Sequence, residues 1–165
     1  MADNNEILIR QALKEDVGLI LSFIKELADY EKLSDAVTAN EELLSKTLFG
    51  EESVTKSLLA FYDNKPAGFA IYFYNFSTFI GKPGLYLEDV YVKPELRGKG
   101  IGKQILIYLA NIAKEKDCGR FEWSVLDWNE PSIKFYKNLG AKPMDEWTVF
   151  RLDKKGIENL ASQKL

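Results

Sequence analysis

The sequence predicts an α/β fold in which a mixed, mostly antiparallel sheet is flanked by helices. Three observations predict it. Short apolar and aromatic runs recur along the chain, at residues 7–10, 57–62, 67–74, 85–92, 121–126 and 147–152, and read as strands. Between them lie stretches with apolar residues at helical spacing, chiefly 14–30 and 98–117. The strand–helix–strand unit over residues 85–126 calls for a parallel pair joined by a right-handed crossover, whereas the earlier strands are close enough for antiparallel hairpins.

Taken in order, Ile7-Leu8-Ile9-Arg10 is a first strand. Residues 14–30 place Leu19, Ile20, Phe23, Ile24 and Leu27 on one helical face, with Lys25, Glu26 and Asp29 on the other. Thr38-Ala39-Asn40-Glu41 has capping-box spacing and opens a second helix that runs to about Phe49, ended by Gly50. Strands 57–62 and 67–74 flank Asp63-Asn64-Lys65-Pro66, a turn composition. Residues 76–84, with two glycines and a proline, read as a loop before strand 85–92. Helix 98–117 carries Ile101, Ile105, Leu109 and Ile112 on one face and stops near Gly119. Strand 121–126, a short helix 129–139 with Pro131 in its first turn, a last strand 147–152 and a helix-like tail 153–163 complete the chain.

The length of 165 residues and the absence of any repeat or low-complexity linker predict a single domain over 1–165. No apolar run approaches the roughly 18–20 residues of a membrane span. The N-terminus lacks the basic and apolar regions of a secretory signal. The one cysteine, Cys118, precludes an intrachain disulfide and fits a reducing cytoplasm. There is no histidine, which argues against a zinc site or a Ser-His-Asp triad and leaves acid–base work to Glu, Asp, Lys, Tyr or Cys118. The net charge of −3 is uneven: residues 1–52 carry 12 acids and 5 bases, and residues 53–165 carry 13 acids and 17 bases. An overall acidic chain without a long basic stripe argues against nucleic acid as a partner. The split suits a protein that binds a cation on one side and an anion on the other.

The anion side is specific. After strand 85–92 come the turn Pro94-Glu95-Leu96 and then Arg97-Gly98-Lys99-Gly100-Ile101-Gly102, opening a helix. The first N–H groups of a helix lack internal partners and sit at the positive end of its dipole. Glycines let a phosphate approach that backbone, and Lys93, Arg97, Lys99 and Lys103 add charge. The spacing is neither a P-loop nor a Rossmann fingerprint.

This hexapeptide resembles the Arg/Gln-x-x-Gly-x-Gly/Ala acyl-CoA signature of the GNAT acetyltransferase superfamily. Ile24-Lys25-Glu26-Leu27-Ala28, Tyr30-Glu31, Tyr86-Leu87-Glu88-Asp89, Asn129-Glu130-Pro131-Ser132-Ile133 and Phe135-Tyr136-Lys137 resemble its diamine (spermidine/spermine) acetyltransferases, over roughly residues 7–152. The resemblance implies a GNAT-like sheet whose parallel strands, 85–92 and 121–126, splay apart to admit the pantetheine arm of acetyl-CoA. It implies acetyl-CoA contacts at Val90, Tyr91 and Val92, at Arg97, Gly98, Lys99, Gly100, Ile101 and Gly102, and at Asn129, Ser132 and Tyr136. Tyr136 would be the general acid that protonates the leaving sulfur. Glu88 would take the proton of the amine, directly or through water, with Asp89 as rival. Tyr30, Glu31, Glu88, Glu122, Trp123 and Ser124 would line the amine site. No metal is implied, and a homodimer is.

On the residues alone, strand alternation puts Tyr86, Glu88, Val90 and Val92 on one side of their strand, and Leu87, Asp89 and Tyr91 on the other. Two departures bear on the substrate. Where the diamine branch carries an acid and a tryptophan, this chain has Ser77 and Phe79, and Leu126-Asp127-Trp128-Asn129 is closer to a sister branch that acetylates thialysine. The predicted function is acetyl transfer from acetyl-CoA to a primary amine of a small cationic substrate, a polyamine or a lysine-like amine. The alternatives are a protein or peptide N-acetyltransferase and a non-catalytic acetyl-CoA-binding module.

Overall fold

The computed structural model describes residues 6–163, which divide into two compact units, one ending at Ser124 and one beginning at Val125. In the first unit, β1 (Ile7–Gln11) passes through a 3-10 turn at Lys14–Asp16 into α1 (Val17–Tyr30), and then α2 (Glu41–Phe49). Strands β2 (Lys56–Tyr62), β3 (Lys65–Ser77) and β4 (Lys82–Val92) follow, then α3 (Ile101–Glu115) and β5 (Arg120–Trp123). The sheet order is β1-β2-β3-β4-β5, antiparallel throughout except for the parallel β4–β5 pair. This is the predicted mixed, mostly antiparallel sheet flanked by helices.

The sheet is buried on both faces, because the amphipathic helices need somewhere to put their apolar stripes. Ile20 and Phe23 of α1 and Leu48 of α2 join Leu59, Phe69, Ile71 and Tyr91 in one core cluster. Phe23 stacks on Phe69 with ring centroids 5.7 Å apart. The strand residues on the opposite face, Leu58, Ala70, Leu85 and Leu87, are buried, as are Ile101, Ile105 and Leu109 of α3, which packs on the sheet. Arg10 grips Asp16 with two hydrogen bonds of 2.7 and 2.9 Å, tying β1 to the turn that enters α1.

Three local expectations change. The cap of α2 is Asn40, whose side chain accepts from the Leu43 amide at 2.9 Å, two residues later than a Thr38 cap would be. The loop expected over 76–84 shrinks, since β3 and β4 pair as far out as Ser77 and Lys82. Pro83 is tolerated there because it stands next to the start of its strand. The β2–β3 turn is the tight one: Asp63 and Asn64 both have positive φ, +48° and +61°, which matches the twist of the flanking strands.

The second unit holds α4 (Glu130–Asn138) and α5 (Lys154–Ala161). Asn129 caps α4 through the Ser132 amide, and Asp153 caps α5 through the Gly156 amide at 2.7 Å. The strand predicted over 147–152 does not form. Trp147, Val149 and Phe150 are β-formers by composition, yet they are 73, 83 and 93% exposed. Composition supplies a preference, but a strand needs a neighbour for its N–H and C=O groups, and among the described residues 147–152 pair with none.

Candidate active site

β4 organises the site in the first unit. Its parallel ladder with β5 covers only Gly84–Leu87 against Arg120–Trp123, after which β4 runs on through Val92 paired with β3 alone. From Glu88 to Val92 the β5-facing edge therefore has no ladder partner among the described residues. Peptide groups along such an edge must be satisfied by water or by a ligand. Val90, Tyr91 and Val92 lie on it. The Val92 carbonyl is already used, accepting from Arg97 Nε at 3.0 Å.

The same stretch contains a β-bulge. Ile71 pairs with Asp89 and Tyr72 with Leu87, so Glu88 is an extra residue in β4. In a bulge two residues oppose one on the partner strand, and the alternation of side chains slips by one. Pairing places Tyr86 opposite Phe73, Asp89 opposite Ile71 and Tyr91 opposite Phe69, all on the face toward α1 and α2. Leu87 and Val90, opposite Tyr72 and Ala70, lie on the α3 face. The alternation expected from sequence is thus corrected: Leu87 and Asp89 are on opposite faces, and so are Tyr86 and Val90. The bulge is the physical reason.

Glu88 is exposed and Asp89 partly buried. Burial, followed by the charges of Glu88 and Glu31, pushes the Asp89 carboxyl up to about 6. Glu31 follows the last residue of α1, and burial raises its carboxyl as well. Beside it, the Tyr30 ring lies under the Arg97 guanidinium at 4.3 Å, and the Tyr91 ring lies 5.8 Å from the same group. Burial and then Glu26 push the Tyr91 phenol up to about 12. Arg97 thus lays its charge over the end of α1.

On β5, Glu122 pairs with Tyr86, and the Tyr86 hydroxyl is 2.9 Å from Ser124 Oγ. Glu122 and Tyr86 therefore share the face that carries Asp89. Glu122 sits 3.2 Å from Arg120. Trp123, paired with Leu87, belongs to the other face, its ring against Phe121 at 4.9 Å. Tyr86 has no assigned role in the sequence reading; its place in the site comes from cross-strand pairing, which no local pattern displays. Of the two substituted positions, Ser77 is buried and Phe79 is 98% exposed at the β3–β4 turn.

The phosphate cradle follows β4 directly. A 3-10 turn at Pro94–Leu96 leads to Gly98 and Gly100, with φ of +79° and +86°, a conformation that L side chains rarely adopt. Gly100 is the N-cap of α3 and offers no side-chain cap, so the amides of Ile101, Gly102 and Lys103 are left to be satisfied from outside. A Cβ at either glycine would meet nothing within 4 Å, so the space over this backbone is open. Lys99 stands beside it, its ammonium 4.8 Å from the Tyr62 ring centroid. The chemistry of this turn fits a phosphate or pyrophosphate.

In the second unit, Asn129 is buried at the head of α4, and Ser132 stands in the first turn of that helix. Tyr136 lies in the last turns of α4, its ring 5.5 Å from Phe135. Among the described residues no group of three or more His, Cys, Asp or Glu side chains could hold a metal ion, and no helix is long and apolar enough to cross a membrane.

Residues 21–141 match the Acetyltransferase (GNAT) family. A thialysine N-epsilon-acetyltransferase of Sus scrofa is 41% identical, over 95% of this chain and 98% of its own. A human spermidine/spermine N(1)-acetyltransferase-like protein 1 is 34% identical over 93% of this chain, which spans 23% of that longer protein. Among solved structures, an integron cassette protein from the mobile metagenome of V. cholerae superposes with a TM-score of 0.79 at 31% identity, covering 95% of this chain and 98% of its own.

Proposed function

The chain belongs to the GNAT acetyltransferase family, and from that premise we propose that it moves the acetyl group of acetyl-CoA onto the primary amine of a small cationic substrate. One observation carries the proposal: a single strand, β4, runs from a carboxylate-bearing bulge, along an unpaired edge, into a glycine turn open to phosphate. In this reading the whole chain is one catalytic domain working in the cytoplasm. The edge at Val90, Tyr91 and Val92 takes the pantetheine arm. The turn from Arg97 to Gly102 takes the pyrophosphate, and Asn129 and Ser132 take further contacts with CoA.

The chemistry follows from three requirements. The ammonium must lose a proton before its nitrogen can attack, and Glu88 receives it directly or through a water. The attacking nitrogen forms a bond to the thioester carbonyl carbon, and backbone N–H groups of the open edge steady the oxygen as it becomes negative. The C–S bond then breaks. Tyr136 gives its phenolic proton to the departing sulfur and is restored by the second proton that leaves nitrogen. Tyr30, Glu31, Glu122, Trp123 and Ser124 hold the remainder of the amine.

We favour a lysine-like amine, of the thialysine type, over a long polyamine. Ser77 stands where the diamine branch has an acid, and one fewer carboxylate weakens the hold on a second or third ammonium. Release of free CoA should be followed with spermidine, spermine, putrescine, lysine, thialysine and a peptide panel. The expected result is the highest kcat/KM with thialysine or lysine. Absence of turnover with every amine, together with intact CoA binding, would establish a binding module instead. Turnover of peptides alone would establish a protein or peptide acetyltransferase. Tyr136→Phe should lower kcat by roughly a hundredfold or more while CoA affinity stays within about twofold. An unchanged kcat would remove the tyrosine from the chemistry.

The same premise supports a homodimer, with the exposed apolar stretch 147–152 supplying the contact.

A further inference from the structure

We infer that Asp89 is a second catalytic carboxylate: with Glu88 it holds the acceptor ammonium, and it keeps the proton that the ammonium gives up. The inference rests on the acetyl-transfer reading and deepens it.

The bulge is the first support. In a regular strand, consecutive carboxylates point to opposite faces and cannot hold one ligand. Here Asp89 opposes Ile71 and Glu88 is the extra, unpaired residue before it, so the alternation slips and the two adjacent acids meet the same side of the sheet. The bulge lies where the parallel ladder has just ended, at the start of the open edge that the acetyl-CoA arm would occupy.

The second support is what Asp89 lacks. It is partly buried on an apolar face, opposite Ile71 and two pairs along from Tyr91. Among the described residues its carboxylate has no hydrogen bond and no ion pair. The charges that face it are those of Glu88 on its own strand and Glu31 at the end of α1, both of its own sign. Arg97, the cation over Tyr30 and Tyr91, does not offset it. Buried charges are ordinarily paired, so Asp89, partly buried beside two further acids and with no ion pair of its own, is matched to a cation that arrives from outside. They are not disposed to ligate a metal ion. A substrate ammonium has the right charge and the right donors.

The division of labour follows from exposure. Glu88 is at the surface and can pass a proton to water. Asp89, raised to about 6, remains mostly ionised at neutral pH and can take a proton there. On attack, an N–H bond of the ammonium breaks and an O–H bond forms within the carboxylate pair. The proton rests on Asp89 until Glu88 and solvent remove it.

The test compares kcat/KM against pH for the wild type, Asp89→Asn, Asp89→Glu and Glu88→Gln, with amine-induced thermal shifts measured beside it. In the wild type an acidic limb near pH 6 is expected. Asp89→Asn should lose that limb, lower kcat/KM at pH 7.5 at least tenfold, weaken the amine-induced shift and leave CoA affinity unchanged. Asp89→Glu should restore part of the rate and the limb, whereas Glu88→Gln should keep the limb at a lower rate. Asp89→Asn with wild-type kcat/KM and an unmoved limb overturns the inference, as does loss of the limb in Glu88→Gln alone. A wild type that binds amine without turnover fails the transfer reading. In that case a weaker thermal shift in Asp89→Asn still supports the amine contact, and an equal one overturns it. A wild type that neither turns over nor binds any amine overturns both.

Discussion

Asp89 is costly to keep where it stands. Its carboxyl is raised from 3.8 to about 6 by burial and by Glu88 and Glu31, so the folded state holds the proton more tightly than the unfolded chain. The sign follows. Well below pH 4 both states are protonated and there is no penalty. As pH rises from about 4 to 6 the unfolded chain loses the proton while the folded one keeps it, so the penalty grows, and it is complete by about neutral pH. Asp89→Asn should therefore raise the urea midpoint at pH 8 and leave it nearly unchanged at pH 4, while costing activity. Equal midpoints at both pH values would show that the carboxyl is not strained. Glu88, by contrast, was legible in the sequence as an acid among apolar strand neighbours. Asp89 as its equal was not, because alternation assigned it to the far side. One extra residue in β4 reverses that assignment, and nothing in Leu87-Glu88-Asp89-Val90 announces a bulge.

Elements were more legible than contacts. α1 and α3 were predicted from periodicity alone, since a long amphipathic stripe has few other ways to be buried. The glycine turn was predicted from Arg97-Gly98-Lys99-Gly100, and the positive φ at both glycines explains the composition. Gly100→Ala tests the link from conformation to ligand. Forcing a Cβ into the left-handed region should cost on the order of 1 kcal/mol of stability and weaken CoA binding severalfold, with the KM for amine little changed. Calorimetric titration with CoA checks it; unchanged affinity would detach the turn from the cofactor. The β3–β4 hairpin extends further than its local sequence predicts. Gly81, Pro83 and Gly84 are local breakers by rule, but cross-strand pairing from Asn75 to Ser77 overrides them. The region 147–152 is the complementary case: strong β-formers make no strand without a partner.

At the scale of the whole molecule, that exposed stretch is the main surface left unexplained by one chain. Trp147, Val149, Phe150 and Leu152 are all exposed, and isolated soluble chains seldom display so much apolar surface in one run. A second copy is the partner we propose for it. Phe150→Asp should convert a dimer into a monomer at micromolar concentration, read by sedimentation equilibrium. A wild-type monomer would refute the contact outright.

The sequence by itself determined the fold class, the helix stripes, the glycine turn and the family, because each is written in local spacing: a period of 3.6, a period of 2, or glycines at fixed offsets. It also determined that acid–base chemistry here would be done without histidine. Tertiary structure decided what depends on pairing. It ended the parallel ladder at Leu87, opening the β4 edge, and it placed the bulge that turns Asp89 toward Ile71 and Glu31. It also laid Arg97 over Tyr30. These are matters of register between strands far apart in sequence, and register is set by the whole sheet rather than by any short segment.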